Sequence, residues 1–329
     1  MKLGRGLDIG TMNLVACKET EGGIEYTRIR DCFISVPEKA KKMMKLSDVD
    51  YIEMNDHLLI VGDSALEMNI FLGDGFPLQR PLQDGLISPG ELDSVDVLTF
   101  MLKQILGEPQ EKGEYCYYSV PANPIDMKRD IVYHEGVFSR IITQLGYEPI
   151  SGNEAEAIIF SECEKDGFSG IGISFGSGMT NVCLALKAMP CLQFSVARGG
   201  DWIDSGSAVS LGRSQSHMTE IKENGIDLMN PKTREEEALV FYYKKLITYA
   251  IDGIAKQFIM SGNSFGLKQE LPIIISGGTS KAGNFMEFFK QVFERKKKRF
   301  PIQVSEIRHA SDPLNAVAKG LLIQARQEY

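Results

Sequence analysis

Two stretches of this chain are built on one plan, and that duplication constrains the fold more than any other feature of the sequence. GLDIGTMNLVAC, from Gly6, and GISFGSGMTNVCLAL, from Gly172, each run from an apolar strand through a small Gly- and Thr/Ser-rich turn into a second apolar strand. Asp8 and Ser174 are the matching residues at the turn entrances, about half the chain apart. A repeat on that scale predicts two similar lobes, each opening with a hairpin whose tip faces the other lobe.

The segments between the hairpins alternate helix and strand signals. In ELDSVDVLTFMLKQILG, residues Leu92, Val95, Leu98, Leu102 and Ile105 fall on one helical face, with Ser88-Pro89 as the predicted start and Gly107 as the stop. EYCYYSVP reads as a strand, KRDIVYHEGVFSRIITQLGY as an amphipathic helix, and EPISGNEAEAIIFSECEKDG as a strand end running into a helix. The second half repeats the scheme, with largely helical polar sequence to about Met260 and then a strand, a glycine turn and a helix in LPIIISGGTSKAGNF. Alternation of this kind favours α/β layers. Residues 36–76 are more charged and less periodic, as expected of an inserted subdomain.

Composition narrows the partners. The 329 residues are 43% hydrophobic and 24% charged with a formal net charge of -8, ordinary globular material of two-domain size. The acidic balance argues against nucleic acid or an anionic membrane as a non-specific partner, because both draw their affinity from clustered Lys and Arg. The basic run RKKKR, Arg295 to Arg299, is read as a solvated helix end. None of the six cysteines forms a C-x-x-C pair, so reduced thiols are expected. No run approaches the roughly 18 apolar residues of a membrane span, and the chain is placed in the cytoplasm.

Tight Gly/Thr turns can aim backbone N–H groups at phosphate oxygens, and a carboxylate at the turn entrance can hold waters on a magnesium ion. Asp8, Gly10, Thr11 and Asn13 fit that description. A third element, IIISGGTSKAGNF, ends an isoleucine strand at Ser276. There Gly277 and Gly278 permit close approach of a ligand, and Thr279 or Ser280 is expected to cap a helix whose N-terminus favours an anion.

Taken in order, these motifs resemble those of the actin, DnaK-type chaperone and sugar-kinase ATPase superfamily, and most closely the bacterial actin MreB family, over nearly the whole chain. LDIGTMN resembles the first phosphate motif, ISFGSGMTN the second and IIISGGTSKAGNF the adenosine motif, with SGNEAEAII and DPLNAVAKG as the connecting helices. The stretches RPLQDGLI, ARGGDWID and EIKENGIDL add to the likeness. The resemblance implies an α/β fold of two actin-like lobes with ribonuclease H-like cores: lobe I from residues 1–150 plus 312–329, lobe II from residues 151–311, with insertions at about 36–76 and 206–270. It also implies that ATP or ADP with Mg2+ is bound between them. Asp8 would sit near the magnesium waters, with Gly10, Thr11 and Asn13 on one side of the phosphates and Ser174, Gly176, Ser177, Gly178 and Thr180 on the other. Glu154 would orient the attacking water, Lys222 and Glu223 would reach ribose and base, and Gly277 and Gly278 would pack on the nucleotide. Asp201 is read as a structural acid near the phosphates, and Glu156 as a solvated helix residue.

At the position of Ser174 the family ordinarily carries an aspartate, the second acid that fixes the hydrated metal. Serine keeps an oxygen and loses the charge, and charge-assisted hydrogen bonds are roughly twice as strong as neutral ones. Slow or impaired hydrolysis is therefore expected of a filament-forming ATPase, with self-association as the main partnership and cytoskeletal or envelope proteins as others. Direct membrane binding is not expected, since the short lead before Asp8 carries Lys2 and Arg5. A non-polymerising nucleotide-dependent scaffold or switch is the alternative.

Overall fold

The computed structural model describes residues 3–46, 49–54, 56–72, 75–88, 93–128, 131–261 and 269–329. Pro89 and Leu92, named above for the first amphipathic helix, lie outside these residues, as does Lys2.

The first hairpin pairs β1 (Arg5–Ile9) with β2 (Asn13–Thr20), and β3 (Gly23–Arg30) continues the meander. A subdomain follows: β4 (Phe33–Pro37), α1 (Lys41–Leu46), β5 (Tyr51–Met54), β6 (His57–Val61) and α2 (Gly62–Leu72), with a three-stranded sheet and an apolar cluster of its own. The short pair β7 (Leu82–Gln83) and β8 (Leu86–Ile87) leads to α3 (Ser94–Leu106), which buries Leu98, Leu102 and Ile105 and stops at Gly107 as expected. Then come β9 (Tyr115–Val120), α4 (Val132–Gln144), β10 (Glu148–Asn153) and α5 (Glu154–Glu162).

The second half contains β11 (Gly170–Phe175), β12 (Thr180–Leu186), β13 (Met189–Val196), α6 (Gly200–Leu211), α7 (Gln215–Glu223), α8 (Arg234–Met260), β14 (Leu271–Ser276), α9 (Phe285–Lys296), β15 (Val304–His309) and α10 (Ala316–Ala325). The two large sheets have strand orders β3-β2-β1-β9-β10 and β13-β12-β11-β14-β15, the same path traced twice. In each, three antiparallel strands from the meander adjoin two added in parallel. Every residue of β11 and of β14 is buried, which is what continuous runs such as PIII require of central strands covered on both faces. Helices α8 and α9 cover one face of the second sheet and α5 the other.

The two connecting helices exchange sheets. Helix α5 leaves β10 but packs on β11 and β12, and α10 leaves β15 but packs on β1, β9 and β2. Glycine makes this possible. A Cβ on Gly6 of β1 would lie 2.1 Å from the Ala318 carbonyl oxygen of α10, and one on Gly172 of β11 would lie 2.2 Å from that of Ala155 in α5. Where the two helices cross, a Cβ on Gly320 would fall 1.8 Å from the Ala157 carbonyl oxygen. The cysteines are free thiols, as expected, and five of them are buried.

One expectation fails beside the cleft. The chain after Gly277 makes a 3-10 turn, Gly278–Lys281, and α9 begins only at Phe285 behind the left-handed Asn284. Thr279 and Ser280 cap no helix: Thr279 Oγ1 donates to the Gly176 carbonyl at 2.8 Å, and Ser280 Oγ to that of Gly277 at 2.6 Å. The hydroxyls hold neighbouring loops together, so the anticipated anion site at a helix N-terminus is absent there.

Candidate functional site

The two hairpin turns close in the same way. The Gly10 N–H donates to the Asn13 carbonyl at 3.1 Å, and the Gly176 N–H to that of Met179 at 3.0 Å. A Cβ on either glycine would meet that same acceptor oxygen at 2.8 Å, so both turns are this tight because both residues are glycine. These two amides are consumed by the turns, and any anion must be met by amides further round them. The tips touch: a Cβ on Gly178 would lie 2.3 Å from the Gly85 nitrogen and 2.6 Å from Thr11 Oγ1.

Behind the tips lies a cavity of about 380 Å³. Of the residues anticipated from the sequence, Asp8, Gly10, Thr11, Asn13, Glu154, Ser174, Gly176, Ser177, Gly178, Lys222, Glu223, Gly277 and Gly278 all line it. Thr180 is fully buried outside this lining and spends its hydroxyl on the Arg198 carbonyl at 2.8 Å. Lys222 lines the wall, but its ammonium is engaged by the buried Asp204 carboxylate at 2.6 Å and by the Gly200 carbonyl at 3.2 Å. Glu223 sits exposed at the mouth. Asp201 has the structural part foreseen for it, accepting from Ser177 Oγ at 2.9 Å and pairing with Arg80 at 3.2 Å. Through that pair the second hairpin is tied to the segment just before β7.

Two carboxylic acids set the electrostatics. Asp8 is pushed up to about 6, chiefly by burial, against the Ser119 hydrogen bond and the Arg28 charge. Glu154, the first residue of α5 behind its cap Asn153, is pushed up to about 8 by burial and then by the Asp8 charge, while Asn181 and Ser174 hydrogen bonds oppose the rise. Asn181 holds Glu154 in place, giving its Nδ2 to the carboxylate at 2.9 Å while its Oδ1 accepts from the Ala122 N–H at 3.2 Å. Ser174 stands close enough to Glu154 to favour its charged form.

Four residues of this site were missed in the sequence. Ser119 accepts from the Ile9 N–H at 2.7 Å and donates to Asp8 at 3.2 Å. Asn181 positions Glu154, and Arg28 and Arg30 bring two guanidinium groups into the lining from β3. A signal for Ser119 existed: β9 ends in Ser-Val and β14 in Ser, and Ser276 pairs with Ser174 as Ser119 lies beside Asp8.

Among the described residues no cluster of three or more His, Cys, Asp and Glu is placed to hold a metal ion. Two adjacent acids with raised proton affinity fit a different arrangement, a magnesium ion that keeps its waters and is bound by one or two carboxylates together with phosphates.

The family model described as Volactin matches residues 3–325. The chain belongs to the Volactin family. No curated protein sequence matches it. Solved structures match over its length: the MamK double helical filament with a TM-score of 0.73 at 15% identity, covering 98% of each chain, and MreB5 of Spiroplasma citri bound to AMPPNP with 0.67 at 15% identity, covering 97% of this chain and 95% of that one. The ethanolamine utilization protein EutJ from Carboxydothermus hydrogenoformans matches with 0.53 at 14% identity, covering 98% of this chain and 89% of that one. The Volactin-family chain thus has the actin-like two-lobe fold, with two mixed five-stranded sheets. Among its described residues no helix is long and apolar enough to cross a membrane.

Proposed function

We propose that this chain binds ATP or ADP between its two hairpins, hydrolyses ATP slowly, and assembles head to tail into cytoplasmic filaments. The observation that carries the nucleotide reading is the pair of equivalent glycine turns flanking one cavity that also holds Asp8 and Glu154. Its size falls within the 300–1,000 Å³ usual for small-ligand sites. The structural relative MreB5 was solved with AMPPNP and with ADP, which supports the same occupant here.

In this reading the turn amides beyond Gly10 and Gly176 face the phosphates, and Gly277, Gly278 and the Lys222–Glu223 wall flank the nucleoside. A magnesium ion would supply charge neutralisation at the phosphates, and Asp8, oriented by Ser119, would hold its waters. Glu154 would orient the attacking water and take its proton, which requires the ionised carboxylate. Burial and Asp8 oppose that ionisation, and only the Ser174 and Asn181 hydrogen bonds favour it. Slow turnover follows from this balance as well as from the neutral residue at position 174. Opening and closing would take place between residues 1–150 with 312–329 and residues 151–311, with the α5–α10 crossing as the pivot.

Self-association is supported by where apolar side chains are left exposed. Helix α6 is anchored near the start of α8 by Arg213–Glu235 at 3.0 Å and by Ser210 and Tyr242 at 2.9 Å, and it presents Val209. Ile259 and Met260 are exposed at the far end of α8. With 27 residues rising about 1.5 Å each, α8 spans about 40 Å, so different exposed apolar side chains, Val209 and the Ile259–Met260 pair, stand near its opposite ends. A head-to-tail contact that generates an open filament needs two unlike surfaces of that kind. MamK, a structural relative, was solved as a filament. Such filaments would serve a cytoskeletal role, cell shape among them, with other cytoskeletal or envelope proteins as partners.

Sedimentation tests this. ATP with magnesium is expected to drive the protein into the pellet, and Val209→Glu or Met260→Lys to keep it in the supernatant with ATP still bound. A wild-type protein that binds ATP and stays monomeric would replace the filament by the nucleotide-dependent switch.

A further inference from the structure

The corresponding rows across the two sheets carry different charge. In the first, Ser119, Asp8, Val15 and Arg28 stand side by side on β9, β1, β2 and β3. In the second, the equivalent places on β14, β11, β12 and β13 hold Ser276, Ser174, Asn181 and Ser195. The lobe I row has an acid and a base where the lobe II row has two serines.

The base faces the cavity. Residues paired directly across a sheet project to the same face, so Arg28 shares the face of Asp8 two strands away, about 10 Å between backbones and within a guanidinium's reach. Arg30 lies two residues along the same strand and projects the same way, paired with Asn13 of the turn. Both line the cavity. Neither donates a hydrogen bond to a carboxylate among the described residues, although the Arg28 charge acts on Asp8 and Arg30 forms an ion pair with Asp63. Arg28 Nη2 donates to the neutral Asn315 amide at 2.9 Å. Arg30 Nη1 rests on Met12 Sδ at 3.8 Å, and its buried Nε has no hydrogen bond among the described residues, standing 3.4 Å from the exposed Asp63 carboxylate.

Lys222, by contrast, is already neutralised by Asp204. Lys281 is an exposed cation elsewhere in the lining, and the positive charge behind the first hairpin is arginine on the edge strand, with the neutral Ser174 and not an acid at the turn entrance of lobe II.

We propose that Arg28 and Arg30 bind the phosphate oxygens of the nucleotide directly, so that this chain holds ATP with little help from a divalent cation. Guanidinium groups suit the task, since each offers a planar fork of donors to phosphate and stays charged. The inference rests on the nucleotide reading above, and the experiment separates the two. ATP, ADP and adenosine binding is measured by calorimetry in EDTA and in magnesium, for wild type, Arg28→Gln, Arg30→Gln and the charge-retaining Arg28→Lys, with thermal melts reporting that each variant is folded.

Wild type is expected to bind ATP in EDTA within about tenfold of its affinity in magnesium. Each Gln variant should lose about tenfold or more for ATP in EDTA, less for ADP and nothing for adenosine, with Arg28→Lys intermediate. Gln variants that bind ATP in EDTA as wild type does would overturn the arginine assignment and leave the nucleotide reading standing. Equal losses for adenosine would overturn it too, by showing that the residues act on the fold of the pocket. Wild type that binds no ATP in either buffer would overturn both.

Discussion

Replacing Glu154 by glutamine separates what the carboxylate does in hydrolysis from what it costs the fold. The side chain stands in the cavity lining with its carboxyl group removed from bulk water, and it is pushed up from 4.5 to about 8 by burial first and the Asp8 charge second. Proton counting gives the sign. Between its unfolded value near 4.3 and about 8, the native state keeps a proton that the unfolded chain has released, so stability falls as pH rises through that window. The loss is complete above it. At about 1.4 kcal/mol per pH unit the shift corresponds to roughly 5 kcal/mol. Part of that belongs to Asp8, which titrates at about 6, and water entering the cleft reduces the remainder. Glu154→Gln is therefore expected to stabilise the nucleotide-free protein by about 2–4 kcal/mol at pH 8.5 and by almost nothing at pH 4. The amide keeps the geometry, because Asn181 Nδ2 can donate to its oxygen as it does to the carboxylate. Urea melts at the two pH values measure the effect, and phosphate release should fall about 100-fold or more with the loss of the base. A variant with the wild-type pH slope, or one less stable at pH 8.5, would refute the electrostatic reasoning. Unchanged phosphate release would refute the role in hydrolysis.

His134 supplies the opposite pH dependence: both ring nitrogens lack partners among the described residues, it lies against Phe138, and burial lowers it to about 4. Below about 6.5 the unfolded chain takes up a proton that the native state refuses, so stability falls as pH drops from there toward 4, by about 3 kcal/mol, and His134→Leu should remove that slope in urea melts. Ser174→Asp would place a third acid beside Glu154 and Asp8, lowering the nucleotide-free melting midpoint at pH 8 by about 2–4 kcal/mol in stability, with recovery in ATP and magnesium and faster phosphate release. Equal stability and equal release would count against both Ser174 as the missing acid and its contact with Glu154. Gly320→Ala must part α10 from α5, and a loss of 3 kcal/mol or more is expected in denaturant titration, whereas a loss under 1 kcal/mol would show that the crossing is loose.

The sequence carried the fold far because its strongest signals are local. Glycine turns between apolar strands, isoleucine runs of central strands and the 3.6-residue period of α3 each depend on a few neighbouring residues, and all reappear in the structure. What spacing left open was the partner of each polar side chain. Thr180, Lys222 and Thr279 each bond to protein groups that sequence spacing does not disclose. Ser119, Asn181, Arg28 and Arg30 were missed because each matters through another element: Ser119 reaches Asp8 by a parallel pairing set across about a hundred residues, Asn181 reaches Glu154 of α5, and the arginines stand on the strand beyond β2. The duplication itself contains part of the remedy. Carrying the Ser174–Ser276 register into the first lobe puts Ser119 beside Asp8, and carrying Asn181–Ser195 across puts Arg28 beside Val15. The same operation shows what the repeat has not kept equal. Two lobes with one strand order place an acid and a base in the matched row of the first sheet and serines in that of the second. Both lobes bring charge to the cavity, Asp8, Arg28 and Arg30 from the first and Glu154 and Lys222 from the second.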